Sequence, residues 1–146
     1  MARKVFFSFK YDDVQRAMIV RNSNVIQGAI KSGFIDAADF EAVERQGDKA
    51  IQNWIDGQLE GTSVTVVLIG ANTSKSKWVK YEIAKSIARG NGILTIDISK
   101  ISDWKGNESE CCDLRVPGYP HYLWFKGSGK EKLGEWVEKA AKDAGK

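Results

Sequence analysis

Histidine is nearly absent from this chain: among 146 residues only His121 occurs, and it opens the aromatic run HYLWF with no second imidazole to join it. A structural role is expected for it. Cysteine is almost as scarce. The two present, Cys111 and Cys112, are adjacent, a spacing ill suited to a structural disulfide and unlike the separated pairs of a zinc site. They read as reduced thiols in a loop, and no metal site is expected. Long apolar runs are missing too, since nothing approaches the roughly 18 consecutive apolar residues of a membrane span. The opening MARKVFF has two basic residues but no apolar stretch of signal-peptide type behind them, so a cytoplasmic protein with no membrane partner is expected. Nor is there a block of one charge. The 22 Lys and Arg are interspersed with 19 Asp and Glu for a net charge of +3, which gives no electrostatic footprint for nucleic acid.

What is present describes a folded domain. Hydrophobic residues make up 42% and charged residues 28%, ordinary globular proportions, and the length suits a single domain over 1–146 with one core. VFFSF (5–9) is a short β-forming run, followed by Asp12 and Asp13, which can cap a helix carrying Val14, Ala17 and Met18. GFID (33–36) is a second strand candidate. Asp48 is placed to cap a helix with Ile51, Trp54, Ile55 and Leu59 on one face, stopped by Gly61. VTVVLI (64–69) is nearly continuous in apolar and β-branched residues, as a central strand covered on both faces should be. Residues 72–74 supply caps for the helix KWVKYEIAKSI, which should run to Arg89 before a strand over 93–98. Residues 99–120 read as a long irregular connection and HYLWF as the last strand. Ser128 with Glu131 forms a capping box for a helix that carries Leu133, Trp136, Val137, Ala140 and Ala141 on one face. Strand and helix alternate about five times. The expected fold is therefore α/β: a flavodoxin-like three-layer sandwich with a mainly parallel five-stranded sheet, binding ligands beyond the carboxyl ends of its strands.

Several phosphate and nucleotide sites common on such sheets fail on their residues. WFKGSGKE (124–131) sits between strand and helix like a P-loop, yet Trp124 stands where the first glycine belongs and Glu131 replaces the magnesium-holding hydroxyl. Gly90 and Gly92 precede a strand instead of following one, so they form no dinucleotide fingerprint. The third strand exits through LIGANTS, without an aspartate to accept a phosphoryl group. KYDD brings two negative charges to the place where a flavin phosphate would need hydroxyls and glycine.

In KWVKYEIAKSI, Val79, Ile83 and Ile87 fall on one apolar line, with Trp78 and Glu82 on a second line at its edge, where a side chain can reach a cleft. Taken singly, Glu82 reads as a solvated residue paired with Lys85 or Arg89, and Trp78 as core. Their joint placement beyond the central strand, on the side where SFKYDD also ends, marks them as a candidate site. VFFSFKYDD, GFIDAAD and SVTVVLIGANTSKSKWVKYEI together resemble a TIR-like domain of the bacterial Thoeris type, found in antiphage defence, and the resemblance covers residues 4–98. It implies that NAD is the substrate, that Glu82 is catalytic, and that no cofactor or metal is needed. Trp78 would line the pocket, and Ser8, Phe9 and Lys10 at the first-strand exit would contact substrate. Many relatives have tyrosine and arginine where this chain has Phe9 and Lys10. Asp36 is carried over as a further substrate contact, and Arg21 with Asn22 as the last of the residues the resemblance suggests.

The resemblance also implies self-association through TIR contacts and a separate effector protein that senses the product. Ordinary glycoside hydrolysis uses two carboxyl groups because an alkoxide leaving group must be protonated. Nicotinamide begins as a cation and departs neutral, so one carboxylate that stabilises the charge developing on the ribose suffices. Water then gives ADP-ribose, whereas an adenine nitrogen gives a cyclised product. The expected activity is release of nicotinamide with formation of an ADP-ribose-derived signal, cyclic by preference. A TIR-like interaction module without catalysis and a nucleotide-binding α/β domain without turnover are the competing readings.

Overall fold

The computed structural model describes residues 3–10, 14–21, 30–32, 45–70, 73–101, 114, 116–124 and 129–146. In chain order its elements are β1 (Arg3–Phe9), α1 (Val14–Arg21), β2 (Ile30–Ser32), α2 (Asp48–Leu59), β3 (Val64–Ile69), α3 (Lys77–Ala88), β4 (Gly92–Asp97), β5 (His121–Leu123) and α4 (Gly129–Asp143). The strands make one sheet in the order β2-β1-β3-β4-β5, with every neighbouring pair parallel. This is the flavodoxin-like order, in which the direction of winding reverses between β1 and β3.

Side-chain alternation along the strands sorts the core into two layers. Val5 and Phe7 of β1, Val64, Val66 and Leu68 of β3, and Leu94 and Ile96 of β4 pack on one side against Ala17 and Val20 of α1 and Leu133, Trp136 and Val137 of α4. On the other side Val67, Ile69 and Ile93 lie beneath Val79 of α3, and Phe6 lies beneath Ile51, Ile55 and Leu59 of α2. All six residues of β3 are buried, which is why its sequence lacks polar alternation. Lys77 Nζ meets Asp48 Oδ2 at 2.8 Å and Tyr81 Oη donates to Asp56 Oδ1 at 3.0 Å, joining α3 to α2 at the surface.

Several local expectations are corrected. The second strand is Ile30–Ser32, ahead of GFID, and residues 33–36 lie outside the described residues. Asp48 is the first helical residue of α2 and Gly47 occupies the cap position, so the Asp48 carboxylate acts on the positive helix end and on Lys77. Ser76 caps α3 through its Oγ, which accepts from the Val79 N–H at 3.2 Å, because Thr73–Lys75 forms a separate 3₁₀ turn before it. The last strand is shorter than expected, for Trp124 turns into the core after Leu123. The Asp12, Asp13 and Ser128 caps and both cysteines lie outside the described residues, as does most of the 99–120 connection, whose flanks Ile101 and Val116 are buried. His121 has a structural contact, its Nδ1 lying 2.7 Å from Thr95 Oγ1 across β4 and β5. Among the described residues no helix is long and apolar enough to cross a membrane, and no cluster of His, Cys, Asp and Glu is arranged to hold a metal ion.

The start of β4 touches α4 backbone to backbone. A Cβ on Gly92 would overlap the Ala140 carbonyl oxygen and stand 2.6 Å from its carbon. Gly92→Ala should therefore destabilise the fold by about 1–3 kcal/mol or more, as forced overpacking does. Gly57, inside α2 with open space around it, should do the opposite: Gly57→Ala should stabilise by about 0.5–1 kcal/mol. Urea unfolding of the two variants beside the parent chain checks both signs.

Candidate active site

Helix α3 leaves the carboxyl end of β3 and runs back over β1, β3 and β4. Its buried stripe is Val79, Glu82 and Ser86, whereas Ile83 is half-buried and Ile87 is 48% exposed. The expected apolar line through Val79, Ile83 and Ile87 is thus turned, and Glu82 sits within the buried stripe instead of at its edge. The reason lies in what the sheet presents. Ser8 of β1 and Thr65 of β3 place hydroxyls on the α3 face, and Thr65 Oγ1 lies 2.7 Å from Ser86 Oγ. A helix rotated to match polar groups with polar groups necessarily lifts Ile87 toward water.

Glu82 is 5% exposed, and its Oε2 has no hydrogen-bond partner among the described residues. Burial pushes its carboxyl up to about 8, and the neighbouring Ser8 hydroxyl pulls it back only in part. Ser8 Oγ is likewise buried, with no well-formed hydrogen bond among the described residues. The two groups are neighbours, a hydroxyl donor beside a carboxyl acceptor. No ion pair reaches Glu82 among the described residues. Lys85 and Arg89, the cations expected to solvate it, instead line a separate groove of about 470 Å³ with Asn53, Asp56 and Glu60 between α2 and α3.

The remaining expected site residues divide by strand geometry. Ser8 pairs in register with Val67, so the Ser8–Glu82 pair lies over the junction of β1 and β3 where the winding reverses. Phe9, one residue on, points to the opposite layer and packs against the core shared with α1 and α4. Lys10 is half-buried just past the strand end. Trp78, one helical turn before Glu82, is half-buried against the Phe6, Ile51, Ile55 and Leu59 cluster and meets Tyr81 edge-on at 5.9 Å between ring centres. It forms the α2 side of the neighbourhood. Asp36 and Asn22 lie outside the described residues, and the Arg21 side chain is not described. Sequence reasoning missed Ser86 and Thr65. The signal was present, because Ser86 follows Glu82 at the same i+4 step by which Glu82 follows Trp78.

The carboxyl's displacement toward about 8 fixes the sign of a pH effect. The folded protein holds this proton more tightly than the unfolded chain, whose carboxyl titrates near 4.5, so the contribution to stability is full below 4.5 and is lost as pH rises through about 8. Glu82→Gln, which cannot ionise, should gain stability relative to the parent as pH climbs across that window and hold a constant advantage above it. Thermal melts of both proteins from about pH 5 to about pH 9 measure the difference. Parallel curves throughout would mean that the carboxyl is not held in a dry site.

Comparison with known proteins bears on this geometry directly. Residues 6–103 match the family described as "Thoeris protein ThsB, TIR-like domain". The chain is also 44% identical over 143 residues, 94% of its own length and 72% of the other's, to a Bacillus cereus (strain MSX-D12) protein named "Putative cyclic ADP-D-ribose synthase ThsB1". The matched span begins within β1 and runs past β4, taking in Ser8, Trp78 and Glu82.

Proposed function

The chain belongs to the Thoeris ThsB TIR-like family, and from that premise we propose that it cleaves NAD, releasing nicotinamide and forming an ADP-ribose-derived signalling nucleotide, cyclic by preference. The single observation that carries the reading is the buried carboxyl of Glu82, whose Oε2 has no hydrogen-bond partner among the described residues, beside the buried hydroxyl of Ser8. In a non-catalytic interaction module a desolvated acid of this kind would only lower stability. The name of the Bacillus cereus relative supplies the nucleotide class.

Glu82 would act as an anion produced by its own substrate. At rest its burial favours the neutral acid. The pyridinium of NAD carries the missing positive charge, and its approach favours loss of the proton, since an opposite charge within about 4–6 Å stabilises a carboxylate. The glycosidic C–N bond then breaks with its electron pair going to nicotinamide, which leaves neutral. The carboxylate faces the positive charge that grows on the ribose, and the dry surroundings make that attraction stronger than it would be in water. Ser8 can donate to the carboxylate or to a ribose hydroxyl, and Trp78 offers a π face on the α2 side. Water attack followed by proton loss gives ADP-ribose, and attack by an adenine nitrogen gives the cyclic product. The product would be read by a separate effector, and self-association through TIR contacts belongs to the same proposal.

Purified protein incubated with NAD should release nicotinamide, measurable by chromatography, and Glu82→Gln should lower kcat by orders of magnitude. Because the carboxylate is the working form, kcat/KM for the parent should climb as pH rises toward about 8 and level off above it. Undiminished release by the Gln variant would remove Glu82 from the reaction. NAD binding without any release, in an assembled and triggered state, would favour the nucleotide-binding domain instead.

A further inference from the structure

We propose that the buried Thr65–Ser86 hydroxyl pair is a positioning device for Glu82, fixing the height and rotation at which α3 holds that side chain against Ser8. The kinetic part of this inference rests on the NAD-cleavage reading. Ser86 Oγ donates to the Glu82 carbonyl at 2.7 Å, and its contact with Thr65 Oγ1 is also 2.7 Å. A hydroxyl has one proton, so with the serine proton committed to the carbonyl, Thr65 must donate to Ser86. A directed chain therefore runs from the central strand, through Ser86, to the backbone of the residue proposed to do the chemistry. Both hydroxyl residues are fully buried.

Helix stability alone does not explain the arrangement. A serine that bonds back to the carbonyl four residues earlier slightly destabilises a helix and tends to bend it. Alanine over valine would fill similar space by apolar contact, which is non-directional and tolerates small slides of a helix along a sheet. Two short hydrogen bonds tolerate them far less. The lower end of α3 is fastened in the same polar manner: the Asn91 N–H donates to the Ser86 carbonyl at 3.0 Å, Asn91 Nδ2 donates to Thr62 Oγ1 at 2.9 Å, and Thr62 Oγ1 donates to the Leu59 carbonyl at 2.6 Å. These bonds tie the end of α3 to the turn between α2 and β3, so Glu82 hangs from a fixed frame.

The decisive comparison is between single and double variants. Ser86→Ala strands the Thr65 hydroxyl without its acceptor and should lower both Tm and kcat. Thr65→Val with Ser86→Ala removes both polar groups together, which is close to neutral for stability. Tm should then recover toward the parent value, while kcat stays lower by roughly tenfold to a hundredfold with KM little changed, the scale expected of a misplaced catalytic group. Carbon-13 NMR of the Glu82 carboxyl should show its titration moved toward the ordinary carboxylate range in the double variant, and Thr65→Ser, which keeps the hydroxyl, should behave as the parent.

Parent kcat together with parent titration in the double variant would overturn the proposal, leaving the pair a packing feature. If the double variant does not fold, Thr65→Val alone, nearly isosteric, should shift the titration in the same direction by less, and a parent titration there overturns the proposal as well. If the parent releases no nicotinamide, or Glu82→Gln releases it equally fast, the NAD reading fails, and the NMR arm by itself decides whether the pair positions Glu82.

Discussion

A carboxylic acid buried under a helix, with no countercharge among the described residues, is the constraint around which this domain is arranged. An ionised carboxylate there would lose its hydration, and the Ser8 hydroxyl offsets that only in part, so burial favours the neutral acid near pH 7. The surroundings tolerate the arrangement because they are otherwise well made. β3 is buried along its whole length between two helical layers, and α3 is capped by Ser76 above and tied through Asn91 below. The parallel sheet also sets the location. With strands in the order β2-β1-β3-β4-β5, a residue near the end of β1 and a residue one turn into α3 meet over the place where the winding reverses.

The architecture was legible in the sequence because it follows from period. VTVVLI predicts a strand covered on both sides, the spacing of Ile51, Ile55 and Leu59 predicts α2, and that of Leu133, Trp136 and Val137 predicts α4; all three lie where expected. The family likeness, drawn from VFFSFKYDD and the third strand and helix, holds over residues 6–103. Errors fall where tertiary context outweighs local pattern. The face of α3 was misread because period alone treats Ile87 as core and Glu82 as rim, while hydroxyls on β1 and β3 reverse that order. The caps of α2 and α3 were misplaced by a residue or more, since Gly47 and a 3₁₀ turn can begin a helix as readily as Asp48 or residues 72–74.

Under the proposed NAD cleavage, the neutral resting state of Glu82 bears on selectivity as well as rate. A permanently ionised carboxylate in an open cleft would attract any cation, including simple metal ions and amines. A buried acid gives up its proton to solvent only when a partner brings both positive charge and enough surface to keep water out afterwards. A pyridinium joined to a ribose does both, whereas reduced nicotinamide, lacking the charge, gives no reason for the proton to leave. Discrimination between the oxidised and reduced forms of the dinucleotide would then come from the same desolvation that raises the acid's titration range.

Alternation along β1 finally decides how departures from the family pattern should be weighed. Ser8 and Phe9 are adjacent in sequence, but a strand sends successive side chains to opposite faces, and only Ser8 shares a layer with Glu82. Phe9 packs into the core against α1 and α4, so this departure from the pattern the resemblance implies alters that layer and leaves the donors around the carboxyl untouched. Lys10 is half-buried just past the strand end, beyond the reach of that alternation. Ser8 and Phe9, neighbours in one short strand, thus belong to different layers, and only the first bears on the carboxyl.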